Sequence, residues 1–170
     1  FGEANETAHN REEWNDTATG SGHAVIVPMQ NILFKNTSHN YAGFNCNIPD
    51  QFRMNQFEEE FKKLWLNKHR ELPRLITIQV PNDHTADPKP KYGYPYHESY
   101  VADNDLAVGR ILHFLSRTTY WKNMLVIITE DDPQGGVDHI DAHRSLLMMA
   151  GPYVKRNYTI NYTYFVIPYS

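Results

Sequence analysis

The chain has almost no cysteine, no long apolar run and no excess of basic residues. Cys46 is the only cysteine among 170 residues, which excludes an internal disulfide and a zinc site built from several cysteines. No stretch of about 18 apolar residues occurs, so no segment is expected to span a bilayer. The formal net charge is −4, and the Lys and Arg residues are scattered rather than gathered in a stripe that would follow a phosphate backbone. Nucleic acid is therefore not an expected partner.

The apolar residues that are present suffice for one core. With 41% hydrophobic residues, the length predicts a single domain over residues 1–170. Residues 1–49 are mostly polar and rich in turn formers, and we expect an irregular lead-in there, with one short strand at residues 23–28.

Helices and strands alternate after this lead-in. Apolar residues at helical spacing predict helices at residues 50–68 and 99–117. Runs rich in β-branched or apolar residues predict strands at residues 75–80, 124–129 and 146–150. The second run is almost unbroken in apolar character, which is typical of a strand buried on both faces of a parallel sheet. The pattern predicts an α/β fold, a layered sheet with helices on both faces.

Acids and histidines cluster around the ends of the predicted strands, where ligands bind in open α/β sheets. In chain order they are Asp83, His84, Asp131, Asp132, His139 and His143. Two adjacent carboxylates repel one another, and burying them is unfavourable unless a cation or hydrogen-bond donors compensate. Carboxylate oxygens with imidazole nitrogens suit zinc, manganese or iron, whereas calcium or magnesium is favoured only if the histidines are not ligands. The gathering predicts a divalent-metal site.

The same residues have a simpler interpretation. The adjacent carboxylates can cap a turn, and the later histidines can be ordinary surface residues. Each residue taken singly fits that interpretation. Only the presence of six acids and histidines near the strand ends favours a metal site. Asp103 and Asp105 lie inside the second predicted helix, where we expect them to be solvated or to form hydrogen bonds near the helix start.

Several segments resemble a known enzyme superfamily. Residues 101–112 read VADNDLAVGRIL and residues 121–132 read WKNMLVIITEDD, and they look like a helix and the following strand of alkaline phosphatase superfamily enzymes. Residues 81–85, PNDHT, and residues 134–145, QGGVDHIDAHRS, resemble more closely the bacterial phosphoesterase family that includes acid phosphatases and phospholipase C. Within it, the chain is most similar to a branch often joined to β-propeller domains. The similarity covers about residues 75–156.

The resemblance implies an alkaline phosphatase-like fold and metal-dependent hydrolysis of phosphate esters. It implies metal ligands among the gathered residues and, for His139, either a ligand or a group that orients the leaving group or phosphate. The implied metal ligands are Asp83, His84, Asp131, Asp132 and His143, with Asp87 as an alternative to His84. The implied cofactors are divalent ions (zinc, manganese, iron or calcium), and the implied substrate is a phosphorylated small molecule or a phospholipid. The implied location is periplasmic, at the cell surface or secreted.

The resemblance also implies an incomplete domain. In the family, a Ser or Thr nucleophile lies near the N-terminal end of the domain, and no such segment is found in this chain. We therefore expect the chain to hold part of the metal site without the nucleophile and to be inactive alone.

An alternative function comes from another class of protein. Tyrosine-rich stretches at residues 92–96 and 158–169 would suit a non-catalytic surface or glycan-binding domain that keeps the fold. Ordinary loop packing is the simpler explanation of these stretches.

Overall fold

The computed structural model describes residues 30–130 and 145–160, together with the backbone of two short strands near the start of the chain. The fold divides into two compact units, Phe1–Tyr120 and Trp121–Ser170. The first unit contains the helices that surround Asp83 and His84, and the second contains the strand that ends just before Asp131.

The first unit opens with an antiparallel strand pair. β1 (Glu12–Asn15) pairs with β2 (Gly22–Ile26). β2 overlaps the strand predicted at residues 23–28 and confirms it, whereas β1 lies where only loops were expected. A short helix, α1 (Asn31–Lys35), follows.

Two longer helices form the core of this unit. α2 (Asp50–Phe61) begins directly after Pro49 and continues into a π-helical turn, Lys62–Leu66. α3 (His97–Leu115) begins where the Ser99 hydroxyl accepts a hydrogen bond from the Tyr96 amide. Both predicted helices are confirmed within about two residues, as is usual for helix ends. No helix in the described ranges is both long and apolar enough to cross a membrane.

Aromatic side chains join α2 to α3. Phe61 is fully buried, and its ring centroid lies 5.6 Å from that of Phe57, 5.1 Å from Trp65, 5.4 Å from Phe114 and 6.0 Å from Tyr120. All four pairs are tilted or edge-on, an arrangement that aromatic quadrupoles favour. Phe61 is therefore the centre of the helix–helix contact.

A polar contact adds to the aromatic one. The Arg110 guanidinium on α3 donates to Oε1 of Glu58 at 3.0 Å, to Oδ1 of Asn55 at 2.8 Å and to the backbone and side-chain oxygens of Gln51. These acceptors lie along one side of α2, so a single planar group fixes how α3 lies along α2.

Residues 75–80 do not form the predicted strand. No backbone hydrogen bond joins them to another described strand, and Leu75 is 81% exposed. Side chains bind their carbonyls instead: the Tyr41 hydroxyl donates to the Gln79 carbonyl, and Nδ2 of Asn104 donates to the Val80 carbonyl, each at 2.6 Å. A composition rich in β-branched residues is therefore not sufficient to form a strand here, because a strand also needs a backbone partner.

The second unit contains β3 (Val126–Thr129) and β4 (Leu147–Ala150). They confirm strands at both predicted places, but the pair is antiparallel rather than parallel. Ile127 is 55% exposed, so β3 is not buried on both faces as its apolar run predicted. The larger layered sheet with helices on both faces stays a prediction.

Candidate functional site

Two of the predicted site residues lie on one short turn of the first unit. A 3₁₀ turn, Pro81–His84, follows residues 75–80 and carries Asp83 and His84. The other four candidates, Asp131, Asp132, His139 and His143, lie outside the described residues.

The turn presents its two site residues differently. Asp83 is half-buried and His84 is exposed. The His84 ring stands edge-on to Phe44 with centroids 5.3 Å apart, and its Nδ1 lies 3.2 Å from the Thr85 carbonyl oxygen. Thr85 has φ of 62°, which is rare for a β-branched residue and indicates local backbone strain. Such a conformation persists only where the surrounding contacts hold it.

Asn82, whose carbonyl accepts a hydrogen bond from the Thr85 amide, is held by several hydrogen bonds of its own. It has no exposed surface, and its backbone amide donates to Oδ2 of Asp50 at 3.1 Å. Its side-chain nitrogen lies 2.8 Å from Oδ2 of Asp103, 3.1 Å from the Tyr94 hydroxyl and 3.2 Å from the Ile48 carbonyl. The turn is therefore fastened to both long helices through the residue that precedes Asp83.

Asp103 is the acceptor on which this arrangement converges. Its Oδ2 accepts from the Asp50 amide at 2.7 Å, from Nδ2 of Asn82 and from the Tyr94 hydroxyl at 2.9 Å. Burial and the Asp103 carboxylate raise the pKa of Tyr94, so its hydroxyl stays protonated and donates. Asn104 adds a hydrogen bond from its Nδ2 to Oδ2 of Asp50 at 3.1 Å. We call this set the buried polar network; its members are Asp50, Asn82, Tyr94, Asp103 and Asn104.

Asp103 forms hydrogen bonds as expected, but it lies well inside α3 rather than at the helix start, and it is half-buried. Asp105, two residues later, is exposed as expected. Helical spacing could have shown that Asp103 faces inward. It lies between Tyr100 and Ala107, which are both fully buried and mark the inner face of α3.

Arg53 holds the loop that precedes α2. It is fully buried and donates from Nη1 to Oδ1 of Asp50 at 3.0 Å and to the Ile48 carbonyl at 2.7 Å. Its remaining donors reach the carbonyls of Ala42, Gly43 and Asn45 at 2.6–3.2 Å. These five bonds match the five N–H groups of a guanidinium, so the side chain is fully satisfied.

Burial raises the pKa of the Asp50 carboxyl to about 6, although Arg53 and hydrogen bonds from Asn82 and Asn104 lower it. The charged groups that face it are Arg53 on α2 and Asp103 on α3. Because the folded state holds this proton more tightly than the unfolded chain, Asp50 favours folding below its ordinary pKa of 3.8. That contribution is lost as the pH rises through about 6.

The pH dependence of stability should therefore differ between the wild type and Asp50→Asn. We expect the free energy of unfolding of the wild type, relative to Asp50→Asn, to increase by about 2 kcal/mol from pH 7 to pH 4. Urea titrations of both proteins at each pH measure this difference. Asp105→Asn, which removes an exposed carboxylate from α3, should show a much smaller change. If the free energies of unfolding of the wild type and of Asp50→Asn differed by the same amount at every pH, the raised pKa of Asp50 would be contradicted.

The described residues form only part of the predicted metal site. In residues 30–130 and 145–160, no group of three or more His, Cys, Asp or Glu side chains lies close enough together to hold a metal ion. Asp83 and His84 offer one carboxylate and one imidazole, a donor pair that fits zinc, manganese or iron but is too small a set alone.

The second unit shows where the remaining candidates enter the fold. β3 and β4 pair so that Thr129 lies opposite Leu147. Just beyond them, the Ser145 hydroxyl donates to the Glu130 carbonyl. Residues 131–144, which carry the other four candidates, therefore connect two strand ends that lie side by side.

We compared the chain with protein families, curated proteins and solved structures. No protein family, no curated protein and no solved structure matches the chain. The resemblance to phosphoesterases therefore stays a prediction made from the short segments at residues 81–85, 101–112, 121–132 and 134–145.

Proposed function

We propose that the chain contributes part of the metal site of a phosphoesterase, a metal-dependent enzyme that hydrolyses phosphate esters. The observation that carries the proposal is the pairing of β3 with β4. This pairing brings together the two ends of the segment that resembles the family most specifically.

The position of these strand ends suits a site of this kind. Asp131 and Asp132 directly follow Glu130, and His143 lies two residues before Ser145. The carboxylates therefore follow one end of the strand pair directly in sequence, and the imidazole precedes the neighbouring end by a few residues. Because the two ends are already held together, gathering these ligands around one ion closes only a short loop, with a small loss of chain entropy.

The proposed roles follow from the chemistry of the side chains. Asp131, Asp132 and His143 bind the ion, and His139 is a further ligand or orients the leaving group or phosphate. The resemblance also implies Asp83 and His84 as ligands. A divalent ion would supply stabilisation of the charge on phosphate oxygens and activation of the nucleophile. The nucleophile that the resemblance implies is a Ser or Thr, and we assign it to no residue of this chain.

The biological setting is proposed on the resemblance alone. The substrate is a phosphorylated small molecule or a phospholipid, the location is periplasmic, at the cell surface or secreted, and a β-propeller domain is a candidate partner in the same polypeptide. The metal is zinc, manganese, iron or calcium.

Metal content measured by plasma mass spectrometry tests the proposal. After incubation with Zn²⁺ and Mn²⁺ and removal of excess ions, we expect bound metal in the wild type and a loss of most of it in Asp131→Ala/Asp132→Ala. The reason is that removing both carboxylates takes away two of the proposed ligands. Glu59→Ala/Asp105→Ala is the matched control, since it removes two exposed carboxylates and should keep the metal.

Two results would contradict the proposal. One is equal metal content in the wild type and in Asp131→Ala/Asp132→Ala, which would place any ion elsewhere. The other is the absence of bound metal in the wild type after incubation with Zn²⁺, Mn²⁺, Fe²⁺ and Ca²⁺ in turn.

A further inference from the structure

A basic segment, residues 62–74, lies at the end of α2. The Lys and Arg residues are scattered over the chain as a whole, but this segment contains five of the sixteen and only one acid, Glu71. It therefore carries a net charge of +4, whereas the rest of the chain carries −8. We propose that the basic segment, together with the exposed Leu75 that follows it, binds an anionic lipid surface. The inference does not depend on the proposed metal site, since no candidate ligand lies in this segment.

Most cations of the basic segment are available to an external partner. Four of them are exposed, namely Lys63, Lys68, Arg70 and Arg74. In the part of the chain that the structure describes, none of these four side chains forms an ion pair. Lys62 differs, because its Nζ lies 3.4 Å from Oε2 of Glu58 and 5.1 Å from the centre of the Phe114 ring. Lys62 is thus used within the unit, and the other four keep their charge for contacts outside it.

Hydrogen bonds hold the middle of the basic segment in one conformation. The Arg70 amide donates to the Trp65 carbonyl at 3.1 Å, and the Tyr120 hydroxyl donates to both the Trp65 and the Arg70 carbonyls, at 3.1 and 2.6 Å. His69, between Lys68 and Arg70, has φ of 50°, the left-handed conformation that commonly follows a helix. The cations are therefore presented from a fixed turn, so that binding a surface would order little additional backbone.

The negative end of the α2 dipole accounts for only part of this charge. Cations near the C-terminus of a helix are favourable, but the effect falls off within the last turn. It therefore explains Lys62 and Lys63, whereas Arg70 and Arg74 lie well beyond Leu66, where the helical turns end. Water can solvate each of these cations singly. Their accumulation in one segment is the feature that an anionic surface would match.

A further cation comes from the end of α3. Arg117, which follows α3 closely, is exposed and lines an open cavity of about 360 Å³ together with Leu66 of the π-helical turn. Its Nη1 donates to the His113 carbonyl at 3.0 Å, which holds the side chain without neutralising its charge. Glu58 also lines the cavity, but its carboxylate is already paired with Arg110 and Lys62. The two helix ends thus contribute cations to the same region.

Leu75 favours a lipid surface over other anionic partners. It is 81% exposed and directly follows Arg74 in the chain. Cations beside an exposed aliphatic side chain suit the boundary between headgroups and acyl chains, where charge attraction and apolar burial both contribute. A nucleic-acid backbone would attract the cations but would offer no apolar layer to Leu75. An anionic surface also repels the remaining −8 of the chain, which orients the basic segment towards the lipid.

Sedimentation with lipid vesicles tests the proposal. We expect the chain to bind vesicles of equal parts phosphatidylcholine and phosphatidylglycerol at least about tenfold more tightly than vesicles of phosphatidylcholine alone. Each Lys or Arg near an anionic surface contributes about fivefold to the affinity, so Lys68→Gln/Arg70→Gln should bind the mixed vesicles about 10- to 30-fold more weakly. Leu75→Ser should bind them about 3- to 10-fold more weakly, because its side chain no longer enters the apolar layer.

Matched variants show whether the basic segment itself is responsible. Lys35→Gln/Lys91→Gln removes two exposed lysines elsewhere in the first unit, and Leu106→Ser removes a leucine of α3 that is 57% exposed. Both should bind the mixed vesicles like the wild type, because they leave the segment intact. All the replaced side chains are exposed, so each variant is expected to keep the fold, which circular dichroism checks.

Four results would overturn the inference. The first is equal binding to both kinds of vesicle, or binding to neither. The second is an equal loss in Lys35→Gln/Lys91→Gln and in Lys68→Gln/Arg70→Gln, which would make the effect one of overall charge. The third is unchanged binding by Leu75→Ser, and the fourth is tighter binding of double-stranded DNA than of the mixed vesicles, which would assign the segment to nucleic acid. Metal content enters none of these measurements, so this inference and the proposed function fail separately.

Discussion

Replacing Arg53 with methionine is expected to lower the free energy of unfolding by about 3–5 kcal/mol, the usual effect of breaking a buried ion pair. The substitution leaves Asp50 without its buried cation and removes the Arg53 donors from the carbonyls of Ala42, Gly43 and Ile48, of which Ile48 keeps its hydrogen bond from Asn82. Chemical denaturation followed by circular dichroism measures the change.

Three further variants identify the cause. Arg74→Met removes an exposed arginine and should change stability by less than about 0.5 kcal/mol. Arg53→Lys keeps the charge but cannot present five donors in a plane, so its stability should fall between those of the wild type and Arg53→Met. Asp50→Asn/Arg53→Met removes both charges and should be less destabilised than the sum of the single substitutions. If Arg53→Met resembled Arg74→Met, Arg53 would not organise the loop.

Phe61→Ala is expected to destabilise the first unit by about 3–5 kcal/mol, the range for emptying an aromatic site in a core. The cavity would open between α2 and α3, where Phe61 meets four other rings. Denaturation curves again give the value, and near-ultraviolet circular dichroism should show the loss of fixed aromatic packing.

The comparison for Phe61 is with a phenylalanine outside the core. Phe44 is 57% exposed, and Phe44→Ala should cost less than about 1 kcal/mol. Phe61→Leu fills part of the space and should be less harmful than Phe61→Ala. Similar values for Phe61→Ala and Phe44→Ala would contradict the view that the aromatic cluster holds the helices together.

The helices were predictable because their evidence is local. Phe57, Phe61 and Trp65 recur at a spacing that places them on one side of α2, and no distant residue is needed to see it. The same reasoning found β3 and β4 but not their direction, because an apolar run does not specify which strand will pair with it. Residues 75–80 show the limit most clearly, since their composition suits a strand but no backbone partner accompanies them among the described residues.

The sequence predicted candidate ligands but not the residues that surround them. Asp83 and His84 follow a β-rich run and stand out by residue type, whereas Asn82 and Asp103 resemble ordinary polar residues of a turn and a helix. Their importance comes from contacts that join residues 50, 82, 94 and 103, and such pairings are not visible in a local pattern. The spacing of Asp103 from Tyr100 and Ala107 placed it on the inner face of α3, and that was the one local clue.

The buried polar network also affects the order of events in folding. The bond between the Asp50 amide and Asp103 joins residues separated by 53 positions in the chain, and that between Asn82 and Asp50 spans 32. Such bonds cannot form until the intervening chain has closed into a large loop, so they come after α2 and α3 have formed and met. Interactions completed that late scarcely influence how fast the chain folds, but they restrain how fast it comes apart. We therefore expect the network to slow the unfolding of the first unit more than it speeds folding, and the turn with Asp83 and His84 to be among the last parts to form.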